Sequence, residues 1–350
     1  MPVEAEDPGV PTLAPLFRSL VPPHVFLGIA IFDGDRVGTH YGTAAGLKAD
    51  SATVFRVASI SKIVTGQLLA GQDMDRDASE VLGFDLRNPA HPEYPVTLAH
   101  LASHAAGLTD DALPVPPEAD LAAWCAAHPI WTGDAAGTRF EYSNLGYILL
   151  AACAERLHGR EFGALSSDWL AARGIPGGFN WLDVPAADRA KAMPMFRRKG
   201  TTFHPTADHA VPAKGLAGPD GLITVGRNVA AYAPQGGLRT SIEGLAALMM
   251  ALPKLDRRVL WEAGTPEESL GGLFQAYGLG LQVYPEPDFY PAPIYGHFGS
   301  AYGVRCGVWH ETEGEFAFAY ALNGIEAGED GDAFLPAERE IFAAIAALKE

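Results

Sequence analysis

The chain predicts an α+β fold: an antiparallel sheet formed from both chain ends, flanked by helices, with a large, mostly helical insert between. Three observations carry this. Apolar runs of strand length lie near the start, at 25–32 and 37–45, and near the end, at 277–284, 303–310 and 315–322. Between them, roughly from 60 to 255, apolar residues recur with helical rather than alternating spacing. A closing amphipathic segment, 336–348, sets Ile341, Phe342, Ile345 and Leu348 on one helical face.

In chain order, residues 11–20 read as a first helix, and 25–32 with 37–45 as an antiparallel pair joined by the turn Asp33-Gly34-Asp35. The helix carrying Ser59 follows, then helices over 118–128, 144–158, 162–173 and 240–252, linked by Pro/Gly-rich connections. This divides the chain into a sheet domain, 1–58 with 256–350, and a mostly helical domain, 59–255. Within the latter, 174–226 is irregular and rich in Gly, Pro, Lys and Arg. It reads as a long loop over the pocket, with Trp181, Phe196, Phe203 and His204 as candidate substrate contacts, or as a surface excursion without any. No internal repeat or low-complexity segment is visible.

With 350 residues, 48% of them hydrophobic, the chain can bury a substantial core. Its 42 acidic against 25 basic residues give a net charge of −17, which repels nucleic acid and anionic membrane surfaces and suits neutral or cationic small molecules. Neither partner class is expected, and oligomeric state is not readable. Met1 to Pro8 lacks a basic start and an apolar core, and Val25 to Phe32 is far shorter than the ~20 residues of a membrane span. A cytoplasmic protein is the expectation, with Cys125, Cys153 and Cys306 as reduced, buried thiols.

The chemistry concentrates in three motifs. In Phe55-Arg56-Val57-Ala58-Ser59-Ile60-Ser61-Lys62, Ser59 and Lys62 share a helical face at i, i+3. A serine hydroxyl needs a base to take its proton, and a lysine serves only when neutral, its pKa brought from ~10.4 to roughly 7–8. The apolar Val54, Phe55, Val57, Ala58, Ile63 and Val64 supply a desolvating surround. Ser61 lacks an i+3 lysine, and Arg56 reads as a structural ion-pair partner. In Phe140-Glu141-Tyr142-Ser143-Asn144, Tyr142 offers a phenol that can share base chemistry and Asn144 an amide that can orient the lysine or a substrate, while Tyr147 falls in the apolar helix as core. In Gly296-His297-Phe298-Gly299-Ser300, a glycine-rich stretch between two strand-like runs, a glycine admits substrate to the backbone and the next N–H can donate to an oxyanion.

In this order the motifs resemble the serine β-lactamase and penicillin-binding protein superfamily, in its class C-like branch of β-lactamase-fold esterases, D-aminopeptidases, D-amino acid amidases and DD-carboxypeptidases. Val96 to Leu108, ending Ser103-His104-Ala105-Ala106-Gly107-Leu108, resembles that branch's Ser-His-x-x-Gly-Leu turn. Pro234 to Ser241 resembles its Gly-Gly-Leu segment, and Tyr277-Gly278-Leu279-Gly280-Leu281 its Tyr-Gly-Leu-Gly strand. The resemblance runs from about residue 25 to the C-terminus and implies a β-lactamase/transpeptidase-like fold. It implies Ser59 as acylated nucleophile, Lys62 and Tyr142 sharing base and acid work as a coupled pair, and Asn144 bonding the lysine and the substrate. The backbone N–H groups of Ser59 and Ser300, beside Gly299, would form the oxyanion hole. His297 would bind substrate or hold Tyr142. No cofactor is implied.

One departure bears on substrate. Where β-lactamases carry Lys-Thr-Gly, this chain has His297-Phe298-Gly299, and an imidazole of reference pKa ~6.5 is a weak lure for a carboxylate at neutral pH. The expectation is therefore a serine hydrolase, first a carboxylic ester hydrolase. A D-stereospecific amidase, aminopeptidase or DD-peptidase-like enzyme is the alternative, with a β-lactamase or a non-catalytic penicillin-binding-like protein behind it. Other chemistries lack support. His100 and His104 have zinc-ligand spacing without the glutamate of His-Glu-x-x-His, His204, Asp208 and His209 form no defined ligand set, and no metal is expected. Neither a Gly-x-Ser-x-Gly elbow nor a phosphate-binding loop occurs.

Overall fold

A computed structural model describes residues 3–5, 13–21, 24–44, 46–206, 223–252, 261–265, 268, 272–328 and 333–349. Its frame is a nine-stranded sheet. From edge to edge the strands are Val3–Ala5, Val37–Thr43, Phe26–Asp33, Phe316–Asn323, Val304–Glu311, Ile294–Ala301, Leu281–Tyr284, Ala276–Gly278 and Trp261–Glu262, each antiparallel to its neighbours. The two chain ends join where Phe26–Asp33 pairs with Phe316–Asn323 over eight residues, Asn323 opposite Phe26 and Phe316 opposite Asp33. The α+β class and the sheet built from both ends are as the sequence predicts.

The sheet is buried on both faces, so its strands read as near-continuous apolar runs instead of alternating ones. Tyr320 on one face donates to Glu338 of helix Pro336–Ala346 at 2.6 Å, and Glu338 takes the fully buried Arg305 at 2.7 Å. On the other face, Gly28 and its cross-strand partner Ala321 lie under helix Ile242–Met250. Arg305 and Glu338 are each 0% exposed, and breaking such a pair costs about 3–5 kcal/mol.

Two predicted boundaries are corrected. The run 277–284 is a hairpin, Ala276–Gly278 and Leu281–Tyr284, turning at Leu279 and Gly280 with φ of 48° and 81°. That turn presses on the Lys62 helix: a Cβ on Gly280 would lie 2.1 Å from the Lys62 carbonyl oxygen. The His297 motif, expected between strands, is itself the strand Ile294–Ala301, paired residue by residue with Val304–Glu311. Helices Ala14–Leu20, Leu121–Ala127, Phe162–Ala171 and Ile242–Met250 match expected segments with trimmed ends, Asn144–His158 keeps its expected bounds, and Ala78–Leu82 and Ala186–Arg189 fall outside the expected segments. Among the described residues no helix is long and apolar enough to cross a membrane.

The described part of 174–226 is not one loop. Gly178–Phe179 pairs with Leu238–Thr240, and Phe196–Lys199 forms a hairpin with Thr202–Pro205. Trp181 is buried with Val54 and Val184 beneath the Arg239 guanidinium, 4.7 Å from its ring centre. Asp208 and His209 lie outside the described residues.

Candidate active site

The site forms where the turn after strand Phe55–Arg56 meets strand Ile294–Ala301. Ala58–Ile60 is a single 3-10 turn, and Ser61–Gln67 continues it as an α-helix. Ala58 takes φ 46°, a left-handed conformation that costs an alanine about 1–2 kcal/mol and turns the chain just before Ser59. Ser61 fastens this turn, donating to Ala58 O at 2.6 Å and accepting from the Leu238 N–H at 2.9 Å. Both its bonding directions are used in the core, whereas Ser59 lines a cavity of about 240 Å³.

Lys62 is 0% exposed. Its Nζ lies 3.2 Å from Ser59 Oγ, 2.7 Å from Asn144 Oδ1 and 2.8 Å from Gln235 O. Burial pushes the amine down from its ordinary 10.5 to about 7, with the Asp110 charge opposing the shift. A buried cation is tolerated only with such partners; a neutral amine fits the same three positions with two donated bonds and one accepted from the Ser59 hydroxyl. Tyr142 is half-buried, with Lys62 Nζ 4.8 Å from its ring centre. Tyr147 is fully buried and donates to Ala102 O at 2.9 Å.

Asn144 opens helix Asn144–His158, and the carboxylate of Asp110 covers that helix end. Asp110 Oδ2 accepts from Asn144 N and Nδ2, both at 2.8 Å; Oδ1 accepts from Leu145 N and Ser143 Oγ, both at 3.0 Å. His104 supports the same corner: its Nδ1 accepts from the Ser143 N–H at 3.0 Å, and burial drives its pKa well down. His100 caps its own helix with Thr97 instead of pairing with His104.

His297 does not reach the cavity. It is 0% exposed, bonds Tyr277 Oη through Nε2 at 2.9 Å and contacts Phe298 O through Nδ1. Burial, seconded by the Lys62 charge, pushes it down to about 3, so the ring is neutral. The phenol it meets is that of Tyr277, not the expected Tyr142, because strand alternation turns it into the sheet's interior. Phe298, on the opposite side, packs against Phe334 below Arg305.

Gly299 is where the strand passes the Ser59 turn: a Cβ there would stand 2.4 Å from Val57 O. The Phe298 N–H bonds Gln282 Oε1, on the side away from Val304–Glu311. Ser300, two residues on, has the same direction and lies past the end of strand Leu281–Tyr284, so its N–H faces the open edge beside Ser59. Ser300 Oγ and Gln235 Oε1 are buried without a hydrogen-bond partner among the described residues, and both residues line the cavity. Leu113, Pro114, Val115, Ile148 and Ala230 give it an apolar wall, and Arg56, its guanidinium 4.9 Å from the Tyr302 ring centre, lies at its rim. Trp181, Phe196, Phe203 and His204 are not in its lining.

Thus Ser59, Lys62, Asn144, Gly299 and Ser300 converge, with Tyr142 packed on the lysine and His297 behind. Sequence reading missed Asp110, the Gln235 carbonyl and the apolar wall. The one signal for Asp110 was its place two residues after Gly107-Leu108, and its partners lie 33 to 35 residues away.

The Beta-lactamase family model matches residues 14–340. Two curated relatives from Dichelobacter nodosus, a probable fimbrial assembly protein FimD of serogroup H1 and a putative one of serogroup D, are 24% and 25% identical over 271 residues. That stretch is 74% of this chain and 64% of theirs, so the chain spans a little under two thirds of their length. Among solved structures, a beta-lactamase/D-alanine carboxypeptidase from Yersinia pestis superposes with TM-score 0.69 at 17% identity, covering 96% of this chain and 95% of that one. A D-amino acid amidase from Ochrobactrum anthropi SV3 superposes with TM-score 0.67 at 18% identity, covering 97% and 100%. At those identities the likeness is one of fold.

Proposed function

The chain belongs to the beta-lactamase family, a family of serine hydrolases, and on that premise we propose that it hydrolyses small, neutral carboxylic esters through an acyl-enzyme on Ser59. The observation that carries the reading is the Lys62 amine, buried, lowered to about 7 and 3.2 Å from Ser59 Oγ. In its neutral form it accepts the Ser59 proton as Oγ attacks the ester carbonyl. The tetrahedral oxyanion is held by the backbone N–H groups of Ser59 and Ser300. Its collapse expels the alcohol, protonated from the Lys62–Tyr142 pair, and water then attacks the acyl-serine by the same route. Asn144 holds the lysine, and the unpartnered Ser300 Oγ and Gln235 Oε1 are available to polar groups of the substrate.

Charge favours the ester. Among the described residues, no Asp or Glu lines the cavity, and Arg56 does. A substrate with a free ammonium finds no counter-charge among those described lining residues, and His297, neutral and buried, offers no cation to a lactam carboxylate. The second reading, a D-stereospecific amidase or DD-peptidase-like hydrolase, draws on the likeness to the D-amino acid amidase and on the net charge of −17, and uses the same residues.

Initial rates of the wild type and Ser59→Ala on p-nitrophenyl butyrate, D-alanine p-nitroanilide and a chromogenic cephalosporin test both. Ester turnover that Ser59→Ala abolishes is expected; faster anilide turnover transfers the assignment to the amidase. Wild-type rates retained in Ser59→Ala would overturn the nucleophile.

A further inference from the structure

We propose that Asp110 is a positioning residue for the reaction centre: through Asn144 it decides which atom meets Lys62, and so keeps the lysine lone pair directed at Ser59. The inference rests on the reading of Ser59 as nucleophile and Lys62 as its base.

An asparagine amide can turn either its oxygen or its NH2 toward a neighbour. Here the choice is made by Asp110, whose Oδ2 takes the Asn144 Nδ2–H at 2.8 Å and the Asn144 backbone N–H at the same distance. The donor end being used, Oδ1 faces Lys62 Nζ at 2.7 Å. The second partner of Lys62, Gln235 O at 2.8 Å, is a backbone carbonyl and also only accepts. A neutral amine has two N–H bonds and one lone pair. Two obligate acceptors take the N–H bonds, and the lone pair is left for the partner that can donate, Ser59 Oγ at 3.2 Å. Reversing the amide would aim an N–H at the lysine and compete with Ser59 for that lone pair.

The carboxylate is fully engaged: each oxygen accepts two bonds, the other pair coming from Ser143 Oγ and Leu145 N at 3.0 Å. Capping the helix needs the backbone bonds alone; the bond to Asn144 Nδ2 is the one that reaches the lysine. Among the described residues, the other groups facing Lys62 are the rings of Tyr142 and Tyr147, at 4.8 and 5.6 Å, and the imidazoles of His104 and His297, both kept neutral by burial. The Asp110 charge holds the lysine's proton against burial.

The experiment compares kcat, KM and the pH profile of kcat/KM for the wild type, Asp110→Asn, Ser143→Ala and Ser59→Ala. Asp110→Asn is expected to lower kcat by about 100-fold with little change in KM, as loss of an oriented base does. Its acidic limb moves to lower pH by about one unit, because the anion favouring protonated Lys62 is gone. Ser143→Ala removes a contact to the same carboxylate without touching Asn144, and is expected to lower the melting temperature and leave the limb in place. Folded Asp110→Asn with kcat within twofold of wild type and an unmoved limb reduces Asp110 to a helix cap and overturns the proposal. Where Asp110→Asn does not accumulate, Asp110→Glu decides: it keeps the charge but displaces Asn144, so kcat must fall with no downward move of the limb, and wild-type kcat refutes it. Loss of turnover in Ser59→Ala with a silent Asp110→Asn overturns this role alone; turnover retained in Ser59→Ala overturns the reading beneath it.

Discussion

Lys62→Met isolates the cost of burying the candidate base. The folded-state pKa is about 7 against 10.5 for the unfolded chain. Above both values the lysine is neutral in either state and its ionisation costs folding nothing. As pH falls through the window between them, the unfolded chain takes up the proton and the folded one does not, so stability declines by about 1.4 kcal/mol per unit. The penalty reaches about 4 kcal/mol near pH 7 and then levels off as the folded lysine is protonated too. Methionine fills nearly the same volume and removes the penalty, but leaves Asn144 Oδ1 and Gln235 O without their partner, at about 1–3 kcal/mol each. At pH 7 these opposing figures are of similar size. The pH dependence of the difference is free of the packing and hydrogen-bond terms, which cancel. Urea unfolding of both proteins at pH 7, 8 and 9 should show the wild type gaining about 2 kcal/mol on Lys62→Met across that range, while the variant loses ester turnover by about 10²–10⁴. A stability difference that stays constant from pH 7 to 9 would mean that Lys62 is charged in the folded protein throughout, and the base mechanism would fall.

Three further outcomes follow from the same geometry. Wild-type kcat/KM should rise with pH through about 7, where Lys62 loses its proton, and a limb near 10 would refute the assignment. Ser61→Ala should cost about 1–3 kcal/mol, since the Leu238 N–H loses its acceptor, yet Ser59 should still be labelled by a phosphonate probe; folded but unlabelled protein would point to Ser61 as nucleophile. Gly299→Ala places a Cβ 2.4 Å from Val57 O and 2.8 Å from Cys306 Sγ, so the strand must withdraw from the Ser59 turn. A drop in kcat of about 10²-fold with unchanged circular dichroism is expected, and wild-type kcat would show that this close approach is dispensable.

The sequence by itself determined what depends on local spacing. Ser59 and Lys62 meet because residues three apart share a face in any helical turn, and Tyr147 is core because it continues the apolar stripe behind Asn144. The two strand-rich ends enclosing a helical middle gave the α+β class for the same reason: periods of 2 and 3.6 are written in the residues themselves. Only the tertiary structure decided what those residues touch. His297 bonds Tyr277 because its strand turns it inward, the 277–284 run breaks into a hairpin because Gly280 fits against the Lys62 carbonyl, and Asp110 grips Asn144 across 34 residues. No local period encodes these pairings. They arise when two chain ends close one sheet and helix Asn144–His158 packs among the helices Ser61–Gln67, Ala78–Leu82 and Leu98–Ala102, so a carboxylate that looks like any other in Thr109-Asp110-Asp111 acquires its partners through the packing of distant segments.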